Sequence, residues 1–137
     1  MSMIEILACD LEGPALDWVI ATIEALPIRF DPMGFIMGSE AGYWIWGDGV
    51  KIRYQLIGRE YSPSKHPAQG TQLMESERLY MQPATYNNEP GWEFWAGYDQ
   101  EGGKIANVFG PTMLIAAMRC IVIKRRGAKV QIPNLLK

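Results

Sequence analysis

"GPTMLIAAMRCIVIKRRG", residues Gly110 to Gly127, decides the fold class. Leu114, Ala117, Met118, Ile121 and Val122 recur at i, i+3, i+4, i+7 and i+8, the spacing of one face of an α-helix. Pro111 suits the first helical position, where a missing N–H costs nothing, and Gly127 supplies a stop. Lys124, Arg125 and Arg126 fall in the last turn, where cations favour the negative end of the helix dipole.

A matching helix opens the chain. In "DLEGPALDWVIATIEALP", Asp10 to Pro27, the residues Leu16, Val19, Ile20, Ile23 and Leu26 keep helical spacing, with Asp10 a candidate N-cap and Pro27 the terminator. "MIEIL" before it reads as a short strand with Ile4 and Ile6 facing one way. Between the helices the pattern is strand and turn. "GYWIWGDGVKIRYQLIG" carries a hairpin signal at Asp48-Gly49, so Tyr43 to Trp46 and Val50 to Ile57 are expected to pair. That pairing sets Val50, Ile52, Tyr54 and Leu56 on one face and Lys51, Arg53 and Gln55 on the other. "ERLYMQP" and "GWEFWAGYD" read as two more strands around the turn "PATYNNEPG", and "GGKIANVFG" as a last short one. Strands bracketed by a long helix near each terminus predict an α+β fold, an antiparallel sheet with both helices packed on one face.

Length and composition fit a single domain over residues 1–137, with 48% apolar and 20% charged residues. Cys9 and Cys120 each sit in an apolar run, which predicts buried, reduced thiols and a cytosolic compartment. No basic segment precedes an apolar one at the start, and Arg119 breaks the longest apolar run, so neither a signal peptide nor a membrane span is expected. The net charge of −2 conceals a gradient: residues 1–48 hold eight acids against Arg29, whereas residues 104–137 hold seven bases and no acid. Three arrangements account for it: ends that neutralise each other within one molecule, a self-complementary surface favouring a homo-oligomer, or a basic site for an anionic ligand. Duplex nucleic acid is not expected, because the pI is acidic and no helix-turn-helix, zinc-finger or aromatic RNP pattern occurs.

Few residues suit catalysis. The single histidine, His66, has no Cys or His neighbour in sequence for a metal site, and neither a P-loop nor a dinucleotide fingerprint is present, so no metal or cofactor is expected. Glu75 and Glu77 share a face if their stretch is extended, and Glu93 lies between Trp92 and Phe94, where an apolar setting could raise its pKa; a solvated pair and a hydrogen-bonded strand glutamate are the readings preferred over catalysis. These three are the candidates for a hydrolase, and a non-enzymatic protein is the first reading.

Binding is easier to build. The tryptophans and tyrosines supply flat amphipathic surface, and Arg53, Arg59 and Arg78 are interspersed among the same segments, a composition that suits a nucleobase carrying phosphate. "YSPSKHPAQG", Tyr61 to Gly70, reads as a polar loop offering Tyr61, Ser62, Ser64, Lys65, His66 and Gln69, with Arg59 just upstream. The first turn of the closing helix adds free N–H groups and the Thr112 hydroxyl. With Trp92, Trp95 and Arg119 these form the candidate site for a small anionic, nucleotide-like ligand. The alternative is an interaction module that inhibits or redirects a host protein through its charged faces.

"GPALDWVIATIEAL", "YSPSKHPAQG", "WEFWAG" and "GPTMLIAAMRC" followed by "GAKVQIP" resemble, in that order and spacing, the NinX family of small proteins from tailed phages of enteric bacteria. The likeness covers both helices, the loop and the late strands, and does not extend to Ile28 to Gln55. It implies a phage accessory protein in the cytoplasm of the infected bacterium and brings no catalytic residues with it. In that setting, sequestration of a host defence nucleotide, of cyclic nucleotide or ADP-ribose type, is the expected use of the site.

Overall fold

The computed structural model describes residues 2–32, 41–46 and 54–137. In chain order the elements are β1 (Met3–Leu7), a 3-10 turn (Ala8–Asp10), α1 (Gly13–Ile23), β2 (Ile28–Asp31), β3 (Gly42–Ile45), β4 (Gln55–Leu56) and α2 (Pro67–Glu77). The second half holds β5 (Tyr80–Tyr86), β6 (Glu89–Trp95), β7 (Gly97–Tyr98), β8 (Lys104–Ile105), β9 (Val108–Gly110), α3 (Met113–Arg126), β10 (Lys129–Pro133) and a closing 3-10 turn (Asn134–Leu136). The fold is α+β, and the strands pair antiparallel in small sheets ordered β1-β10, β2-β3-β4, β5-β6-β9 and β7-β8.

The closing helix is the axis of the molecule. Every residue from Ala116 to Val122 is buried, two full turns with no wet side, so the apolar stripe of the sequence understates how deeply the helix lies. Phe94 and Val108 cover it from β6 and β9, Leu16, Val19 and Ile20 from α1, and Val130 and Ile132 from β10. A smaller core joins Ala21 to Tyr43, Ile45, Ile57 and Tyr61 between α1 and the β2-β3-β4 sheet.

Local chemistry explains most element ends. Thr112 caps α3, its Oγ1 accepting from the Ile115 N–H at 3.2 Å, which leaves the Met113 and Leu114 amides of the first turn without a helical partner. Asn87 and Asn88 stand at φ 49° and 65°, the left-handed pair that a tight two-residue hairpin requires. The β5–β6 turn is therefore shorter than "PATYNNEPG", and its flanks belong to the strands. Glu12, not Asp10, occupies the N-cap position of α1, because Ala8 to Asp10 form their own 3-10 turn first.

Two expectations change further. Pro67–Glu77 is a helix and not loop and extended chain: its buried residues are Gly70 and Glu77, and Leu73 and Met74 are the only apolar side chains it packs on the core, too few to write a stripe in the sequence. A Cβ at Gly70 would meet the Pro63 carbonyl and come within 2.6 Å of a Leu114 methyl, so the bare backbone lets α2 lie against α3. Cys120 is buried as expected, but Cys9 is exposed on the 3-10 turn. Of the Asp48-Gly49 hairpin, the structure shows Trp44 paired with Leu56 and Ile45 with Gln55. The turn itself and Val50 to Arg53 lie outside the described residues.

The chain ends do sit side by side, through β1 and β10 with Leu7 opposite Lys129. The ion pairs of the basic tail nevertheless reach the middle of the chain: Lys124 and Arg125 hold Glu77, and Lys104 holds Glu93.

Candidate anion-binding site

The segment Tyr61 to His66 is held rigidly by one buried carboxylate. Asp17, completely buried in the middle of α1, accepts from Ser62 Oγ at 2.6 Å and from the Ser64 N–H at 3.0 Å. Burial drives its pKa above the ordinary aspartate value, and the hydrogen bonds from Ser62 and Ser64 and the charge of Lys65 oppose that rise without cancelling it. Gln69 fixes the segment from the other side, its Oε1 accepting from the Ser62 N–H at 2.6 Å and its Nε2 donating to the Glu60 carbonyl at 2.7 Å. His66 Nε2 donates to the Arg59 carbonyl at 2.6 Å, and the amides of Lys65 and His66 both reach the Ser62 carbonyl. Each of these bonds orders the segment that brings Lys65 to the surface beside the buried Ser64.

Lys65 and Ser64 open onto a cavity of about 470 Å³ whose other walls are Gly13, Pro67, Thr71, Thr112 and the residues Met113 to Ile115. Gly13, Pro67 and Met113 are the first residues of α1, α2 and α3 respectively, so the start of each of the three helices lines this one space. A helix N-terminus carries about half a positive charge, so three of them and Lys65 give the cavity a positive field. Among the described residues no acidic side chain lines it, its hydroxyls come from Ser64, Thr71 and Thr112, and the remaining walls apart from Lys65 are glycine and aliphatic side chains.

The structure brings only part of the expected set together. Ser64, Lys65 and Thr112 share the cavity. Tyr61 and Gln69 line a neighbouring one of about 360 Å³ with Glu24 and Gln72, and Ser62 is sealed beneath. The Tyr61 hydroxyl is pushed up by burial and by the charges of Glu24 and Asp17. His66 is half-buried at the N-cap of α2, and Arg59 is paired with Glu60 at the surface. Trp92 packs against the main core; Trp95 is buried on the outer face of the β5-β6-β9 sheet, stacked on Tyr80 at 5.8 Å with Lys104 over its ring at 4.2 Å. Arg119 is interior, donating to the carbonyls of Leu11 at 2.8 Å and Phe109 at 3.0 Å and to the Tyr86 hydroxyl at 3.2 Å. Of the expected set, Trp92, Trp95 and Arg119 thus serve packing and backbone capping, and neither they nor Arg59 line the cavity that Ser64, Lys65 and Thr112 share. The residues missed by sequence reading are Gly13, Thr71 and Pro67. The only signals for them were helix starts, and the start of α2 was hidden.

The three glutamates are likewise placed. Glu75 is exposed and Glu77 buried, on different sides of a helix and not on one face of a strand. Burial alone would raise Glu77, but bonds from Arg125 and from Lys124, the latter at 2.6 Å, bring its pKa below the ordinary value. Glu93 behaves the same way: burial raises it, while Gln82, Lys104 and Asn107 at 2.6, 3.0 and 2.7 Å outweigh burial and hold it low. Glu93 is thus the hydrogen-bonded strand glutamate preferred from the sequence, and the raised pKa weighed beside that reading does not occur. Among the described residues no cluster of three or more His, Cys, Asp or Glu is placed to hold a metal ion, and no helix is long and apolar enough to cross a membrane.

Fold and site together define a small α+β protein with a positive, partly aliphatic cavity at a meeting of helix starts. Residues 8–125 match the family described as Bacteriophage P22, NinX, and the chain belongs to that family. The match runs through Ile28 to Gln55, which the sequence resemblance had left out. Comparison with curated proteins finds no match.

Proposed function

We propose that this phage protein is a non-enzymatic binder of a small phosphorylated ligand, and that it removes a nucleotide-like signal of the infected cell by holding it in the 470 Å³ cavity. The observation that carries this reading is the meeting of three helix starts with Lys65 in a space that no acidic side chain among the described residues lines. Backbone N–H groups at helix starts and a lysine are the groups that recognise phosphate oxygens, and the volume lies in the range of small-ligand sites. Met113, Leu114, Ile115 and Pro67 offer the non-phosphate part an aliphatic wall, so recognition of a base by stacking is not part of the proposal.

Thermal melting against mono-, di- and cyclic nucleotides and ADP-ribose derivatives tests it. Ligand at 100 times Kd adds about 2.7 kcal/mol, roughly 5–11 °C in Tm for a domain of this size. Lys65→Glu removes the shift for the ligand that gives it, and recovery of that ligand unchanged after heat release shows that it is bound and not turned over. Absence of any shift across the panel, or a shift indifferent to Lys65→Glu, defeats the proposal.

A second reading, an interaction module that also self-associates, is favoured by one observation: Tyr80, Tyr98, Ile105 and Phe109 are 40–51% exposed around the Trp95 cluster. Sedimentation of the wild type beside Tyr98→Glu tests self-association, which this reading requires the substitution to weaken.

A further inference from the structure

Among the described residues the basic tail leaves three cations unaccounted for, Arg126, Lys129 and Lys137, and the first two share a recess. Lys104 is taken by Glu93, Lys124 and Arg125 by Glu77, and Arg119 is interior. Arg126 and Lys129 have no carboxylate within ion-pair distance among the described residues, and both line a recess of about 270 Å³ at the far end of α1 from the cavity described above. Its other walls are Trp18, Val19 and Thr22 of α1 and Val130 and Gln131 of β10.

The recess is rich in donors and poor in negative charge. A guanidinium, an ammonium and a carboxamide reach it, and none of its lining residues is acidic. Arg126 spends one long bond, 3.4 Å, on the Thr22 carbonyl, which leaves most of its five N–H donors free. The Trp18 indole forms a wall held edge-on against Tyr43 at 6.3 Å. Its Nε1 is sealed from solvent without a hydrogen-bond partner among the described residues, so the ring meets the recess as an apolar wall and not as a donor. The frame is fixed: β10 is paired along its length with β1, and Ala8 donates to the Ala128 carbonyl at 2.8 Å just before Lys129.

We propose that this recess is a second oxyanion site, for the phosphate of a small phosphomonoester carrying a flat apolar group. Two cations of different reach match a phosphate dianion, and Trp18, Val19 and Val130 accept a single ring. The site is independent of the cavity at the helix starts.

Phenyl phosphate is the probe, with phenol and inorganic phosphate as its two halves, titrated by calorimetry at constant ionic strength. The titrations are run in the Lys65→Glu background, which removes the cationic side chain of the helix-start cavity: there phenyl phosphate binds more tightly than either half, and adding Arg126→Ala/Lys129→Ala weakens it at least tenfold. Lys129→Gln, a neutralisation of an exposed strand residue, gives a partial loss and stands in if the double variant does not fold. Phenol binding as tightly as phenyl phosphate, affinity that survives loss of both cations, or affinity present in the wild type and absent from the Lys65→Glu background would each overturn the assignment. The last outcome points to the helix-start cavity instead, so the two sites fail separately.

Discussion

Replacing Asp17 by alanine tests the connection between the buried carboxylate and the site. The substitution leaves Ser62 Oγ–H and the Ser64 N–H facing an apolar interior, the two donors that Asp17 accepts from at 2.6 and 3.0 Å. An unmet buried donor costs about 1–3 kcal/mol, so the pair costs roughly 2–5 kcal/mol, offset in part because an ionised carboxylate no longer has to be buried. At about 2–4 °C per kcal/mol for this chain length, Tm falls by roughly 5–15 °C. A double-mutant cycle with Ser62→Ala isolates the bond: once Asp17 is gone, removing the Ser62 hydroxyl costs nothing or restores stability, so the double variant is no worse than Asp17→Ala alone. The assay is urea unfolding followed by tryptophan fluorescence. A loss below about 0.5 kcal/mol for Asp17→Ala, or additive losses in the cycle, would refute the claim that this carboxylate holds the segment carrying Ser64 and Lys65.

Three other outcomes follow. The folded-state pKa of Asp17 is raised, so its contribution is largest at acid pH and fades as pH rises through that pKa; the cost of Asp17→Asn measured by urea unfolding is therefore greater at pH 4 than at pH 7, and the opposite order contradicts the assignment. Glu77 is lowered, so its contribution is present above the ordinary glutamate range and is lost as pH falls through the folded value; Glu77→Gln flattens the acid limb of the stability profile, and an unchanged limb shows that Lys124 and Arg125 do not matter to it. Thiol titration of the folded protein finds Cys9 reactive and Cys120, whose pKa burial pushes up to about 12, unreactive until denaturant is added; two fast thiols in the native protein exclude the buried position of Cys120.

What the sequence made legible follows from how each element is buried. α1 and α3 present apolar residues at helical spacing because several neighbours cover them, and β5 and β6 announce themselves through aromatic residues around Asn87-Asn88. α2 was illegible because it is held by Gly70, a residue that contributes by having no side chain, and by two partly buried residues, Leu73 and Met74. β10 was missed for a related reason: Val130 and Ile132 alternate with Lys129 and Gln131 over only five residues, and the strand's identity comes from β1 at the other end of the chain. Asp17 lay in plain view between Leu16 and Val19. An acid beside the apolar face of a helix with regular apolar spacing is a signal of a buried polar anchor, although its partners at Ser62 and Ser64 are not deducible from it.

The displacement of the site from where composition placed it has a physical cause. A chain of this size divided among small two- and three-stranded sheets needs large side chains to seal each of them, so Trp44, Trp95, Tyr43 and Tyr61 become cover, each below 10% exposed. Arg119 is drawn inward by the same demand: the carbonyls of Leu11 and Phe109 end their segments beside α3, and a guanidinium with a planar set of donors satisfies both at once. With Arg119 and the rings of Trp44, Trp95, Tyr43 and Tyr61 committed to the interior, the groups left for an anion include main-chain N–H groups at helix starts and exposed cations such as Lys65, Arg126 and Lys129. Side-chain composition does not report main-chain direction, which becomes visible only once Gly13, Pro67 and Met113 are seen to begin their helices at the same cavity.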